Sequence, residues 1–146
     1  MKILTLEEAE KKGLRYCSYD NDDYDYQTKD GVCHLIRDGV DLLKGKRAVW
    51  CYSCDNCDYA YQTKDGIYHL IRNGVDLLKG KGAVDCWSYD SGDYKYQTKD
   101  WVEHLIRDGV DLLDGKRAVD CYSYRNGDYK YQTKDGVKHL IKNKGK

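Results

Sequence analysis

Residues 26–43 read YQTKDGVCHLIRDGVDLL, and near-copies of this segment begin at Tyr61, Tyr96 and Tyr131, a constant interval of 35 residues. The similarity extends beyond this segment over most of the chain. Residues 1–15 precede the copies, which occupy 16–50, 51–85, 86–120 and, as a shorter fourth copy, 121–146. Self-similarity at an interval of about 20–50 residues is typical of stacked repeat architectures. The sequence therefore predicts a single repeat domain over 1–146 that begins with a cap.

Composition excludes several classes of protein. Of the 146 residues, 25 are Lys or Arg and 25 are Asp or Glu, so the formal net charge is zero. This balance argues against a dedicated nucleic-acid-binding protein, which usually carries a net basic charge. The longest apolar runs are a few residues, far below the roughly 20 that cross a bilayer, and the N-terminus lacks the apolar run of a secretory signal. We therefore expect a cytoplasmic protein with no membrane partner.

Each copy opens with two strand candidates joined by a turn. In the third copy they are residues 83–89 and 93–97, and in the fourth copy the turn contains Asn126-Gly127. Asn-Gly between alternating segments is a strong hairpin signal. The sequence therefore predicts a β-hairpin at the start of every copy.

The predicted hairpin gathers tyrosines on one face. Folding the last copy about Asn126-Gly127 sets Tyr124 opposite Tyr129 and Tyr122 opposite Tyr131, so that the four rings share a face. We expect this face to form the sheet side of the core, because tyrosine is commonly buried with its hydroxyl satisfied. The alternative is an exposed aromatic surface that stacks on bases or holds a peptide.

The third segment of each copy, residues 28–43 in the first, allows two interpretations. Its two Asp-Gly pairs suit the hairpin turns of an all-β meander, whereas its apolar residues follow helical spacing, at Val32, Leu35, Ile36, Val40 and Leu43. The copies favour the helix, because Gly31 is replaced by Trp101 and Gly39 by Lys144. A glycine that is needed at positive φ would not tolerate either change.

Other residues fit the ends of such a helix. Thr28 is a natural N-cap, and the invariant glycines after the segment suit a left-handed residue beyond a helix C-terminus, at Gly45, Gly80 and Gly115. At the start of the chain, residues 5–8 read Thr-Leu-Glu-Glu, the form of a capping box, and Gly13 ends that helix. Residues 142–146 give the last copy a polar end, as terminal repeats require.

The predicted fold is α+β: a repeat solenoid of about four 35-residue ββα units, with a mixed sheet, helices on one face and a short N-terminal capping helix. Terminal hairpins of such a stack leave open strand edges, so an edge-to-edge homodimer is one partner hypothesis.

One face of the predicted helices is a candidate protein-binding surface. At 100° per residue the repeated histidine lies opposite the apolar stripe, beside Arg37 and Asp41, which form an i,i+4 pair. A merely solvated face is the simpler interpretation. The predicted partner-binding residues are His34, His69, His104, His139, Arg37, Arg72 and Arg107.

The invariant Gln-Thr-Lys-Asp junction is a candidate anion site. It would mark a helix N-terminus, where free N–H groups and the helix dipole attract anions. The simpler interpretation gives Thr a capping role, Asp30 a favourable place at the positive helix end and Lys a solvated one. The predicted anion-binding residues are Thr28, Lys29, Thr63, Lys64, Thr98, Lys99, Thr133 and Lys134.

Seven cysteines raise the question of a metal site, above all Cys51, Cys54 and Cys57. Cys51 and Cys54 fall on opposite faces of one strand, so they cannot chelate one zinc ion together. An odd number of cysteines also argues against a complete disulfide framework. We therefore predict no metal and no cofactor.

The sequence contains no Gly-rich phosphate loop and no Ser/His/Asp arrangement, and a repeat spreads each residue type into identical rows. Rows suit binding better than catalysis. We predict a non-enzymatic, non-catalytic binding module for another protein, an adaptor or inhibitor such as a phage or mobile element carries. The alternative is polyanion or nucleic-acid binding through the row of helix N-termini.

Overall fold

The computed structural model describes residues 2–143. Within them, one helix, α1, spans Leu6–Lys11. The strands are β1 Arg15–Ser18, β2 Tyr24–Gln27, β3 Cys33–Arg37, β4 Val40–Asp41, β5 Ala48–Ser53, β6 Tyr59–Thr63, β7 Tyr68–Arg72, β8 Val75–Asp76, β9 Asp85–Ser88, β10 Tyr94–Gln97, β11 Glu103–Arg107, β12 Val110–Asp111, β13 Ala118–Ser123, β14 Tyr129–Thr133 and β15 Lys138–Ile141.

These strands form four antiparallel sheets in chain order: β1–β4, β5–β8, β9–β12 and β13–β15. Each sheet corresponds closely to one sequence copy, although β5 and β13 begin slightly earlier, at Ala48 and Ala118. The predicted α+β solenoid of ββα units is therefore wrong. Where the helix was expected, residues 28–43 form β3, a tight turn and β4.

A two-residue turn replaces the predicted helix. Asp38 and Gly39 both have positive φ, at 51° and 76°, and Arg37 pairs with Val40 across them. Positive φ at both central residues defines the type I′ turn, whose twist matches that of antiparallel strands. The helical spacing gave the wrong prediction because β3 is buried on both faces. The apolar pattern of such a strand cannot be distinguished from that of a helix by periodicity. Val40, which the helix would bury, is 57% exposed.

Substitution of glycine between copies did not exclude positive φ. Trp101, which stands where the first copy has Gly31, itself has a φ of 68° and is 69% exposed. Lys144, the counterpart of Gly39, lies outside the described residues, as do the other residues of the polar end at 145 and 146. Gly45 has the predicted left-handed conformation, with a φ of 77°, but it follows a strand rather than a helix.

The opening hairpins exist, with a register one residue away from the prediction. Ser123 pairs with Tyr129 and Cys121 with Tyr131, because the turn contains three residues, 125–127, closed by the Tyr124 amide donating to the Asp128 carbonyl at 2.9 Å. A shift of one residue moves every side chain of a strand to the other face.

That shift divides the predicted tyrosine face. The tyrosines of the second strands belong to the core, as expected: Tyr26, Tyr61, Tyr96 and Tyr131 are all buried. First-strand tyrosines lie on the other face and are exposed, at Tyr16, Tyr52 and Tyr122. The alternative of an exposed aromatic surface therefore applies to the first strands.

The structure divides into two compact units, Met1–Leu77 and Leu78–Lys146. In the first unit, a core that includes Leu35 of the first sheet and Tyr61 of the second joins the two sheets. In the second unit, Leu105 and Tyr131 have the same roles.

Helix α1 caps the first sheet of the first unit as predicted. Thr5 and Glu8 form the reciprocal hydrogen bonds of a capping box, at 2.9 and 3.1 Å. Ala9 packs in a buried cluster with Tyr26 and Ile36. Among residues 2–143, no helix has the length and apolar character that a membrane crossing requires.

Candidate functional site

The repeated histidines lie inside the sheets, so their predicted position on a solvated helix face is wrong. His34 lies on β3, where its Nδ1 is 2.8 Å from Asp41 Oδ2 and its ring stacks on Tyr26 with centroids 5.0 Å apart. The later copies repeat this arrangement at 2.8 Å, in His69–Asp76 and His104–Asp111, and His139 stacks on Tyr131. The role of these histidines in partner binding stays a prediction, and their position favours a structural role.

The repeated arginines bind aspartates of the neighbouring hairpin, so the predicted Arg37–Asp41 pair is also wrong. Arg37 contacts the Asp23 carboxylate through Nε at 3.1 Å and Nη2 at 2.8 Å. The Ser53 hydroxyl, from the next sheet, donates to the same carboxylate at 2.7 Å. The same contacts recur as Arg107, Asp93 and Ser123, and Arg72 pairs with Asp58 at 2.8 Å. The Arg–Asp pairs lie within one sheet, and the Ser53 and Ser123 hydrogen bonds link that aspartate to the adjacent sheet of the unit.

The predicted anion sites required a helix N-terminus, but the structure has a turn at these positions. Residues 28–32 form a tight turn, with the Gly31 amide donating to the Thr28 carbonyl at 2.9 Å. Asp30 accepts a hydrogen bond from the Thr28 hydroxyl and another from the Val32 amide at 3.2 Å, and these bonds lower the pKa of Asp30. The Asp of each junction therefore already accepts the hydrogen bonds that an incoming anion would need. The turn recurs in every copy. Its first residue is the threonine and its second the lysine of each predicted site, namely Thr28 and Lys29, Thr63 and Lys64, Thr98 and Lys99, and Thr133 and Lys134.

A cavity in the first unit brings together residues from β1, β2, β3 and β5. It has a volume of about 220 Å³. Three aromatic residues line its opening, namely Tyr16, Trp50 and Tyr52, and we call them the first rim. Deeper residues are Tyr19, Asp25, Cys33 and Cys51, with Arg15 at the margin.

The deeper residues of this first cavity have perturbed acidities. Burial raises the pKa of Asp25, and the Tyr19 hydroxyl donates a hydrogen bond to its carboxylate. The Cys33 thiol has a lowered pKa because Cys51 offers it a hydrogen bond, and the same contact together with burial raises the pKa of Cys51. The result is a desolvated carboxylate next to two buried thiols.

The second unit has a cavity at equivalent positions with different chemistry. It has a volume of about 370 Å³, and the exposed residues Trp87 and Tyr122 at its edge form the second rim. Lys95 replaces the buried acid, and its Nζ lies 3.4 Å from Glu103 Oε1 and 3.0 Å from the Cys121 carbonyl oxygen. This second cavity therefore carries its own ion pair.

Sequence reasoning missed both cavities. Their lining falls at positions that differ between copies: residues 25, 60, 95 and 130 are Asp, Ala, Lys and Lys. Residues 33, 68, 103 and 138 are Cys, Tyr, Glu and Lys. A usable signal was present in the third copy, where Lys95 occurs together with Glu103, the one acidic residue at its position in the four copies. Positions that differ between copies give each lining its own chemistry, whereas the repeated His, Arg and Asp form the frame, with Lys142 in place of Arg in the fourth copy.

The three neighbouring cysteines at 51, 54 and 57 lie in different environments. Cys51 and Cys54 are buried while Cys57 is exposed, and burial raises the pKa of Cys54 to about 12. Across residues 2–143, no group of three His, Cys, Asp or Glu side chains is arranged to hold a metal ion.

The chain matches no protein-family model and no curated protein. Among solved structures it is similar to the WD40 beta propeller domain of Doa1, with 13% identity, a TM-score of 0.42 and 88% of this chain covered. The chain spans about half, 49%, of the length of that structure.

Proposed function

We propose that this chain is a non-catalytic protein-binding module that contacts its partner through the aromatic rims of the two cavities. The observation that carries the proposal is the exposure of large aromatic side chains on the first strands: 46% for Tyr122 and 49% for Trp87 in the second rim. Trp and Tyr are enriched among the residues that dominate the binding energy of protein interfaces. An exposed ring beside a cavity contributes most to the binding free energy when a partner excludes water from both the ring and the cavity.

The engagement of the repeated polar groups supports a non-catalytic role. His104 is held by Asp111 and Tyr96, and Arg107 is held by Asp93. Side chains fixed in such contacts in copy after copy stabilise the sheets and leave binding to the residues between them. The narrower prediction of an adaptor or inhibitor finds no support in these contacts.

Quantitative affinity capture tests the proposal. Three forms of the full chain serve as bait: wild type, the double variant Trp87→Ala/Tyr122→Ala, and Val110→Ala as a matched control. Val110 is 59% exposed in the same unit but lies outside the second rim. We expect proteins that wild type and Val110→Ala retain, that the double variant loses at least tenfold, and that survive nuclease treatment.

Two results would overturn this assignment. Equal capture by all three baits, or no captured protein at all, would remove the rims as a protein-binding surface. Capture that disappears with nuclease would instead favour nucleic acid as the partner. Far-UV circular dichroism of each bait checks that the variants remain folded.

A further inference from the structure

We propose that the first cavity binds a basic side chain, Lys or Arg, presented by the protein partner, an inference that rests on the proposed function above. Its lining joins a partly buried acid, Asp25, to the three aromatic side chains of the first rim, of which Tyr16 and Tyr52 are exposed. The second cavity lies at equivalent positions but carries the opposite charge at the position of Asp25, and its rim has Cys86 and Asp120 at the positions of Tyr16 and Trp50.

The first rim places three aromatic rings along the cavity. The rings of Trp50 and Tyr52 are nearly parallel, 6° apart in orientation with centroids 6.3 Å apart. Tyr68 of the same sheet contacts Trp50 with 5.5 Å between ring centroids, which adds a further aromatic contact to the indole. Cations are attracted to the faces of such rings within about 6 Å of the centroid, most strongly to Trp. Long basic side chains also bury their methylene stems against apolar walls.

The carboxylate of Asp25 favours a cationic ligand. Asp25 accepts hydrogen bonds from the neutral side chains of Tyr19 and Cys51, and Arg15 lowers its pKa from a distance without an ion pair between the two among residues 2–143. A partly buried carboxylate without a paired cation is costly, because burial removes water without supplying a compensating charge. An incoming ammonium or guanidinium group supplies that charge.

The size of the cavity favours a single side chain over a metabolite. Pockets for small-molecule ligands usually measure about 300–1,000 Å³, whereas this one measures about 220 Å³. One extended Lys or Arg side chain, anchored on a partner backbone outside the rim, suits this volume.

The second cavity provides an internal control. Its Lys95 stands at the position of Asp25 and is already paired with Glu103. A basic side chain would meet a like charge there, so we expect the second cavity to reject it. The two cavities thus predict opposite responses to one probe.

The three tryptophans allow a direct measurement. Trp50 lies in the first rim, Trp87 lies in the second, and Trp101 lines a separate cavity of the second unit. In the ¹H–¹⁵N spectrum of the full chain, each indole N–H gives its own signal, assigned by a Trp→Tyr change. The probe is N-acetyl-lysine N-methylamide under reducing conditions, and the neutral control is N-acetyl-norleucine N-methylamide.

We expect the lysine probe to shift the Trp50 signal saturably and to leave the Trp87 and Trp101 signals in place. Asp25→Asn keeps an oxygen acceptor for Tyr19 but removes the charge. It should weaken binding about tenfold, which corresponds to ~1.4 kcal/mol. Asp25→Lys, which installs the residue of the second unit, should abolish the shift. Arg15→Ala, which removes the nearest competing cation, should strengthen it.

Equal shifts with the norleucine probe, or an unchanged affinity in Asp25→Asn, would overturn the inference. So would a shift of Trp87 as large as that of Trp50. An Asp25→Asn arm in the capture experiment separates this inference from the proposed function. If Asp25→Asn retains the partner that Trp87→Ala/Tyr122→Ala loses, protein binding stands and the basic side chain is excluded.

Discussion

At the scale of single residues, Asp25 is an acid at a position where the other copies have Ala60, Lys95 and Lys130. Its carboxylate faces Tyr19, Cys51, Cys33 and, at the cavity margin, Arg15. Burial is the largest influence on it and raises its pKa, while the hydrogen bonds and Arg15 oppose that rise. Ionisation of Asp25 therefore opposes folding. The wild-type chain loses stability as the pH rises through the raised pKa of the folded state.

The change Asp25→Asn should consequently stabilise the free protein at neutral pH. We expect a gain of about 0.5 kcal/mol at pH 7, a small figure because water partly screens the carboxylate. The gain should vanish near pH 3, where the wild-type carboxyl group is protonated in both states. Thermal unfolding of the two proteins at both pH values measures this.

Asp20→Asn, a change at an exposed acid of the same hairpin, provides the control and should leave the melting temperature unchanged at either pH. A lower melting temperature for Asp25→Asn than for wild type at pH 7 would contradict the prediction. That result would mean that the negative charge of Asp25 stabilises the free chain.

At the scale of elements, the turn between the third and fourth strands of a sheet distinguishes the two interpretations of residues 28–43 and their copies. In the third copy this turn is Asp108-Gly109, with φ angles of 51° and 77°. A Cβ atom added to Gly109 would meet no other atom within 4 Å, so the only penalty for a side chain there is the left-handed backbone.

Gly109→Ala should therefore destabilise the protein by about 1 kcal/mol, the usual penalty of a left-handed L-residue. In a helix the same change would stabilise by about the same amount. The midpoint of urea unfolding gives the sign directly. The companion change Asp108→Gly, which places a glycine at the other left-handed position, should be close to neutral. A stabilising effect of Gly109→Ala would contradict the turn and favour the helical interpretation of this segment.

A second element-scale feature is the tie between neighbouring sheets of one unit. Arg107 pairs with the buried Asp93, which also accepts a hydrogen bond from Ser123 of the next sheet. Arg107→Leu would leave that buried carboxylate without its cation, and removal of one partner of a buried pair costs about 3–5 kcal/mol. Because Arg107 is itself partly exposed, we expect the lower end, about 3 kcal/mol, from urea unfolding.

The exposed pair Arg125–Asp90 provides the matched control in the same unit. Its two side chains are 88% and 53% exposed, so Arg125→Leu should change stability by no more than about 0.5 kcal/mol. Similar losses for Arg107→Leu and Arg125→Leu would show that the Asp93 contact does not hold the sheets together.

At the scale of the whole molecule, the sequence was sufficient for the repeat interval, the opening hairpins and the capping helix. Those features depend on local signals: the recurring Tyr-Gln-Thr-Lys-Asp, the Asn126-Gly127 turn and the Thr5–Glu8 capping box. The third segment failed because β3 is buried on both faces and its apolar pattern matches a helix equally well. The Asp-Gly pairs carried the correct signal, and the tolerance of Trp101 at positive φ concealed it.

The candidate site was harder to predict, because it depends on register. A three-residue turn in place of a two-residue one moved Tyr122 out of the core and into the second rim. The identity of Asp25 and Lys95 as counterparts was visible in the sequence, but their position at the base of a cavity required the packing of β5 and β13 against the preceding sheets. Sequence periodicity carries no information about that packing.

The separation of an invariant frame from a variable lining has an evolutionary consequence. Changes at positions such as 25 and 33 avoid the Arg–Asp–Ser and His–Asp contacts on which stability depends, so a new lining is available by point mutation without loss of the fold. Each pair of adjacent copies then becomes a site for selection, and the same repeated hairpin yields an acidic cavity in one pair and an ion-paired one in the other. A gene of this kind can diversify what it recognises faster than it diversifies its architecture.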